Sequence, residues 1–127
     1  MSRSVKIQWL AGPEEHDYPA AQSYLTLIYE DKQARRLVTA LKAAAIIQFK
    51  AKDIFRASAL SLLGTSNSHV VKDRDRILAG QPISPILLVR DTSLRKVIIA
   101  DGYHRLCAVY SFDEDASIPC KLASNAP

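Results

Sequence analysis

Hydrophobic positions recur every three or four residues in the first third of the chain. Asp17 is a residue type that caps helices, and apolar residues follow it at helical spacing: Ala20, Ala21, Tyr24, Leu25 and Ile28. A second helix is predicted from about Asp31 to Ala44, with basic residues opposite an apolar stripe of Ala34, Leu37, Val38 and Leu41. The pattern predicts a helical hairpin over residues 17–44 that needs another layer to pack on.

The middle of the chain predicts a strand, a turn and a third helix. Ala45–Lys50 has the composition of a strand, and residues 52–60 favour a helical turn. Asn67 or Ser68 is placed to cap a helix from about His69 to Ala79. A glycine and two prolines follow this helix and prevent its continuation.

The last third alternates between apolar runs and one more helical stripe. Ile86–Val89 and Val97–Ala100 are short and uninterrupted, which predicts strands covered on both faces. A helix is expected over Tyr103–Phe112, with a buried stripe of Tyr103, Leu106, Cys107 and Tyr110. Ser117–Leu122 predicts a final strand, in which Pro119 argues for an edge position or a bulge.

This order of elements predicts an α+β fold, a small mixed sheet with flanking helices. The 127 residues suit one compact unit, with residues 1–44 as a helical extension packed on a domain of residues 45–127. The composition, 48% hydrophobic and 24% charged, excludes a collagen-like or fully disordered chain. No apolar run approaches the roughly 18–20 residues that cross a bilayer, and no apolar signal region follows the N-terminus. We therefore expect a cytoplasmic protein without a membrane partner.

Charge and cysteine content narrow the function only slightly. Seventeen Lys and Arg against thirteen Asp and Glu give a net charge of +4, which is mildly basic. Seven of the cations precede or flank Asp53: Lys32, Arg35, Arg36, Lys42, Lys50, Lys52 and Arg56. A solvated helix face and basic loop explain this stretch better than a nucleic-acid surface does, because aromatic residues are sparse there. Cys107 and Cys120 are expected to be buried and reduced, and the three histidines lack metal-ligand spacing, so we predict no metal site.

The segment Ile98–Ala108 carries the most specific chemistry in the sequence. An apolar strand runs into Asp101 and Gly102, and a helix begins at once. The first turn of a helix has unpaired N–H groups and the positive end of the helix dipole, and glycine lets an anion approach the backbone. Arg105 offers two parallel hydrogen bonds to a phosphate, and His104 offers a charged bond or a proton. This junction predicts an anion site.

Three features in the same order resemble the ParB/sulfiredoxin superfamily over about residues 67–122. A helix is followed by Pro85 and an apolar strand. The next strand runs into Gly102-Tyr-His-Arg105, with Ala108 three residues after the arginine. The closing strand has the form Ile-Pro-x-Lys-Leu at residues 118–122.

The resemblance implies a nucleotide-phosphate site at this box. ParB proteins use it with CTP, sulfiredoxins with ATP, and a related free-serine kinase carries Asp-Gly-His-His-Arg there. By position, phosphate contacts are implied for Gly102, His104 and Arg105, and for three residues of the preceding helix: His69, Lys72 and Arg76. CTP or ATP, with Mg²⁺, is the ligand that the resemblance implies, and no other cofactor is expected.

Departures from the family patterns restrict the activity. Sulfiredoxin needs a cysteine where this chain has Tyr103, and Cys107 lies one helical turn further on, so we predict no sulfiredoxin activity. ParB proteins continue into a helix-turn-helix DNA-binding domain, which these 127 residues do not include, so we expect no sequence-specific partition-site binding from them. This chain keeps Asp101, Gly102, His104 and Arg105 of the kinase box but lacks the first histidine of that box.

Three functions remain open from the sequence. The first is a module that binds a nucleotide or another phosphorylated ligand. The second is a phosphotransferase or nucleotide hydrolase with Asp101 and His104 as catalytic residues. The third is a DNA- or protein-binding adaptor that uses the helical hairpin of residues 17–44 and the basic segment after it. The structural alternatives are that Asp101 caps the helix, that Arg105 pairs with Asp101 or Asp113, and that His104 is a packed histidine. The extra helices also offer surface for self-association.

Overall fold

The computed structural model of the chain describes residues 5–126. Its helices are α1 (Asp17–Leu25), α2 (Asp31–Ala43), α3 (Ala51–Ser58), α4 (Ser68–Leu78) and α5 (Tyr103–Phe112). Its strands are β1 (Ile47–Lys50), β2 (Ile86–Asp91), β3 (Lys96–Asp101) and β4 (Ser117–Ser124). No helix in the described range has the length and apolar character that a bilayer crossing requires.

The four strands form one mixed sheet in the order β1-β4-β2-β3. β2 pairs antiparallel with β3 and parallel with β4, and β1 pairs antiparallel with β4. The parallel pair is joined through β3 and α5, which brings the β3–α5 junction beside the start of β2. The predicted α+β class and mixed sheet with flanking helices are confirmed at this level.

Helices cover both faces of the sheet, as the two uninterrupted apolar strands predicted. Side chains alternate along β2, so that Leu87 and Val89 point to one face while Ile86 and Leu88 point to the other. The first pair packs with β3 against the α1–α2 hairpin, whose buried stripe includes Leu25, Leu37 and Leu41.

The opposite face packs against the other three helices. Ile86, Leu88 and Ile99 share a core there with Leu106 and Cys107 of α5 and with buried residues of α3 and α4. The sheet separates the two cores. The hairpin and the other three helices therefore pack on opposite faces of the same sheet.

Three local expectations differ from the structure. The residues after β1 form the eight-residue helix α3 rather than a single turn, ended by Ala59 in the left-handed conformation. Asp17 does not cap α1; as the first helical residue it accepts a hydrogen bond from the amide of Glu14, at 2.9 Å. Pro119 lies in an internal strand without a register shift, but the pairing of β4 with β2 begins only at Cys120, so Pro119 has the single neighbour Gln48.

Candidate functional site

Gly102 forms the sharp connection between β3 and α5. Its φ of +103° lies in the left-handed region, and a Cβ there would come within 2.5 Å of Cδ1 of Ile86 and 2.8 Å of Nη2 of Arg105. Backbone conformation and packing therefore both require glycine at this position. The close approach holds the start of α5 against the start of β2.

α4 faces this junction with a row of polar residues. Asn67 caps α4, because its Oδ1 accepts hydrogen bonds from the amides of His69 at 3.0 Å and Val70 at 3.2 Å. The fixed helix then presents His69, Lys72 and Arg76 at a spacing that places them along one side. Asn67 is the residue, of the two that the sequence offered, that caps the helix.

α4 and the start of α5 enclose a polar basin of about 320 Å³, which we call the α4–α5 basin. All six predicted phosphate-binding residues line it, together with Asp101. The complete lining is His69, Lys72, Asp73, Arg76, Asp101, Gly102, Tyr103, His104 and Arg105. The structure thus brings together residues that are 25 to 36 positions apart in the sequence.

Two histidines meet across the basin. The ring centroids of His69 and His104 are 4.7 Å apart, with a tilted arrangement. Burial lowers the pKa of His104, the neighbouring His69 lowers it further, and Asp73 opposes both effects. His104 is therefore a neutral imidazole at neutral pH, able to accept a proton or to become a cation when an anion enters.

Asp73 is a buried acid at this site that the sequence analysis did not single out. Burial raises the pKa of its carboxyl group, while the guanidinium groups of Arg105 and Arg76 oppose the rise. Nη1 of Arg76 lies 3.7 Å from Oδ1 of Asp73. The position of Asp73 one helical turn after His69 was the available signal, since residues at that spacing share a helix side.

Arg105 is held mainly by internal contacts. Its Nε donates to the carbonyl oxygen of Ser84 at 3.0 Å. Its Nη2 donates to the carbonyl of Pro85 at 3.3 Å and to Oδ2 of Asp101 at 3.1 Å. In the part of the chain that the structure describes, Nη1 donates to no group, and it remains the donor that the guanidinium can offer to a ligand. Arg105 therefore mainly holds the β3–α5 junction in place, and it also lines the basin.

Asp101 also has an internal partner that the sequence did not suggest. Burial raises the pKa of Asp101, the guanidinium of Arg105 lowers it, and the nearby Asp17 raises it again. Asp17 is only 2% exposed, so the two acids and the arginine form a largely buried cluster. Oδ2 of Asp101 accepts a hydrogen bond from Arg105, and this engagement leaves Asp101 poorly suited to act as a free base.

The first turn of α5 retains free backbone donors. Gly102 provides no side-chain cap, and within the described residues no group accepts a hydrogen bond from the amides of Tyr103, His104 and Arg105. These donors and the positive end of the helix dipole lie at the basin, where Lys72 and Arg76 add cationic side chains. The arrangement is chemically suited to hold an anion.

The thiol chemistry of sulfiredoxin has no counterpart in this geometry. The Tyr103 hydroxyl donates a hydrogen bond to the carbonyl oxygen of Ser61. Cys107 is fully buried, and burial raises the pKa of its thiol, so a reactive thiolate is disfavoured. Across residues 5–126, no group of three His, Cys, Asp or Glu residues is arranged to hold a metal ion.

The basic stretch of the sequence does not form one surface. Its α2 members lie on the hairpin side of the sheet, whereas Arg56 lies on α3 at the other side. Lys50 and Lys52 lie 3.9 and 2.6 Å from Asp115, and Arg56 lies 3.3 Å from Asp53. These cations are therefore divided between two surfaces, and three of the seven have acidic partners.

Comparisons of the chain with protein-family models, with curated proteins and with solved structures give no match. The likeness to the ParB/sulfiredoxin superfamily therefore depends on the motif residues themselves.

Proposed function

We propose that this protein binds a small phosphorylated ligand in the α4–α5 basin, with a nucleotide as the ligand class that the sequence resemblance implies. The observation that carries the proposal is the uncapped start of α5, whose three free amides lie at a basin lined by Lys72 and Arg76. A phosphate group supplies several acceptor oxygens, which match these donors in number and charge.

The charge balance of the basin also favours an anion. Lys72, Arg76 and Arg105 carry three positive charges, against the two carboxyl groups of Asp73 and Asp101. Burial raises the pKa of both acids, which weakens their opposition to an incoming phosphate. A Mg²⁺ ion would be carried by the phosphates of a nucleotide, because the described residues supply no three-ligand cluster of their own.

Calorimetry with CTP, ATP, GTP, their diphosphates and inorganic pyrophosphate tests the proposal. Wild-type protein is expected to bind at least one of them below millimolar concentration, and Lys72→Gln should weaken binding about tenfold. Lys32→Gln removes a charge from α2 and serves as the matched control. No binding at millimolar ligand, or equal weakening by both substitutions, would exclude the proposal.

Binding should take up a proton at His104. An anion in the basin favours the imidazolium form and raises the lowered pKa of His104 towards or above its ordinary value. Affinity should therefore increase as the pH falls from 8 to about 6. Sulfate does not titrate in this range, so it separates this effect from protonation of the ligand. A sulfate affinity that does not change with pH would contradict the prediction, and so would an affinity that changes equally with pH in His104→Gln.

A phosphotransferase activity is the second candidate, favoured by the neutral imidazole of His104 in the basin. Asp101 is less suitable as the base because it is engaged with Arg105 and Asp17. Turnover of ATP or CTP with Mg²⁺ across a panel of alcohols and amino acids should then be lost in His104→Gln. Binding without turnover of any acceptor would leave the protein as a binding module.

A further inference from the structure

A second hollow lies between α3 and the sheet, on the face that also carries α5. We call this cavity of about 330 Å³ the α3 hollow. Leu88 of β2, Val97 of β3 and Leu122 of β4 line it from the sheet, and Ile54 and Ala57 line it from the helix. Three adjacent strands therefore contribute apolar side chains to one cavity.

The hollow leaves apolar surface open to water because α3 is short. α3 ends at Ser58, and the left-handed Ala59 turns the chain away after two helical turns. Phe49 of β1, which also lines the hollow, is 40% exposed, and Val97 and Leu122 are half-buried. On the opposite face, the hairpin buries Leu87, Val89 and Ile98 of the sheet. Covering this surface would be favourable, because it removes apolar area from water.

A cation without an acidic partner stands at the rim of the hollow. Arg90 lines the cavity, is exposed, and has Val97 and Ser124 as its directly opposite neighbours on the adjacent strands. Within residues 5–126 its side chain makes no ion pair or hydrogen bond. The acid that lines the hollow, Asp53, already has a cationic partner, because it lies 3.3 Å from Arg56.

We propose that the α3 hollow binds an amphiphilic carboxylate, with its hydrocarbon chain in the cavity and its carboxylate on the guanidinium of Arg90. The cavity volume lies at the lower end of the range for small-molecule sites, which suits a chain of about eight carbons. Arginine pairs with a carboxylate through two parallel hydrogen bonds, which a neutral or cationic head group cannot accept in the same way. This site is separate from the α4–α5 basin and does not depend on its function.

Titration of ¹⁵N-labelled protein with octanoate tests the assignment. The amide resonances of Val97, Leu122 and Ala57 should shift with a common saturating curve, while those of Tyr103 to Arg105 stay in place. Octylamine has the same chain with the opposite charge and should bind at least fivefold more weakly. Shifts scattered over the surface, or equal binding of the two amphiphiles, would overturn the proposal.

Two substitutions separate the head-group contact from the cavity itself. Arg90→Gln should weaken octanoate at least fivefold, whereas Arg35→Gln, an exposed arginine on α2, should leave it unchanged. Ala57→Trp should fill the cavity and abolish binding of both amphiphiles. Unchanged octanoate affinity in Arg90→Gln or in Ala57→Trp would rule the site out.

Discussion

Gly102 and Arg105 have interdependent positions. The absent side chain of Gly102 leaves room for Nη2 of Arg105, and that nitrogen donates to Pro85 and Asp101. The sequence resemblance implied phosphate contacts for both residues. The structure gives each of them an internal role as well, so their substitution should affect folding before it affects binding.

Gly102→Ala should lower the free energy of unfolding by about 3 kcal/mol, because the new methyl group meets Ile86 and the backbone is left-handed. Gly80→Ala is the matched control, since Gly80 also has a positive φ, +75°, but has open space around it. That control should cost only about 1 kcal/mol. Urea denaturation measures both, and equal losses would contradict the packing argument.

Arg105→Ala and Arg76→Ala should separate stability from binding. Loss of Arg105 leaves the largely buried Asp101 without its cation and should cost about 3 kcal/mol in unfolding free energy. Arg76 is 58% exposed, so its loss should change stability by less than about 0.5 kcal/mol while weakening pyrophosphate about tenfold. If Arg105→Ala instead left stability unchanged and weakened pyrophosphate binding, Arg105 would act on the ligand rather than on the fold.

The residue types predicted the cations and histidines of the basin, but they did not predict Asp73 or the neighbourhood of Asp17 and Asp101. The sequence resemblance implied phosphate contacts for both His69 and His104, and their rings do meet at the basin. Asp17 carried a capping signal and is instead a partner of Asp101 at a long sequence distance. Such a contact depends on how the hairpin docks on the sheet, which no local pattern contains.

The helix α4 holds four of the cationic or titratable groups of the basin, and its cap sets where the helix starts. Asn67→Ala removes the acceptor for the amides of His69 and Val70 and should cost about 1 kcal/mol. Asn67→Asp keeps the acceptor and should retain most of the stability. Thermal denaturation compares the two variants; equal losses would mean that the cap contributes nothing.

At the level of elements, periodicity was a good guide where one face of an element is buried. α2 follows its predicted stripe, and β2 and β3 follow from their unbroken apolar runs. The predicted stripe of α5 is correct only for Leu106 and Cys107, because Ala108 and Val109 are buried while Tyr103 and Tyr110 are only partly buried. The position of β4 inside the sheet was not predictable from Pro119, because the proline lies one residue before the pairing with β2 begins. α3 was shorter than the window over which helical periodicity is clear.

A buried polar contact joins the hairpin to the sheet in addition to the apolar core. The Tyr29 hydroxyl donates to Oδ2 of the buried Asp91 at 2.5 Å, at the end of β2. Burial raises the pKa of Asp91, but hydrogen bonds from Tyr29, Leu94 and Ser93 together outweigh that effect and lower it. The carboxylate form therefore stabilises the fold.

Because the folded-state pKa of Asp91 is lowered, its contribution is complete above about pH 4 and is lost as the pH falls through the folded value. Tyr29→Phe should cost about 1.5 kcal/mol at pH 7 and move acid unfolding to higher pH. Tyr24→Phe, on the exposed side of α1, is the control and should change neither. Circular dichroism during acid titration would contradict the assignment if both variants behaved alike.

The molecule as a whole is one sheet with two apolar faces and a polar basin at the end where β3 meets α5. The central claim is that the free amides at the start of α5 hold an anion. The most direct measurement is the response of the ¹⁵N–¹H resonances of Tyr103, His104 and Arg105 to inorganic pyrophosphate. These three amides should shift together towards saturation, and Lys72→Gln should require about tenfold more ligand. Saturating shifts elsewhere with these three amides unmoved would contradict the account.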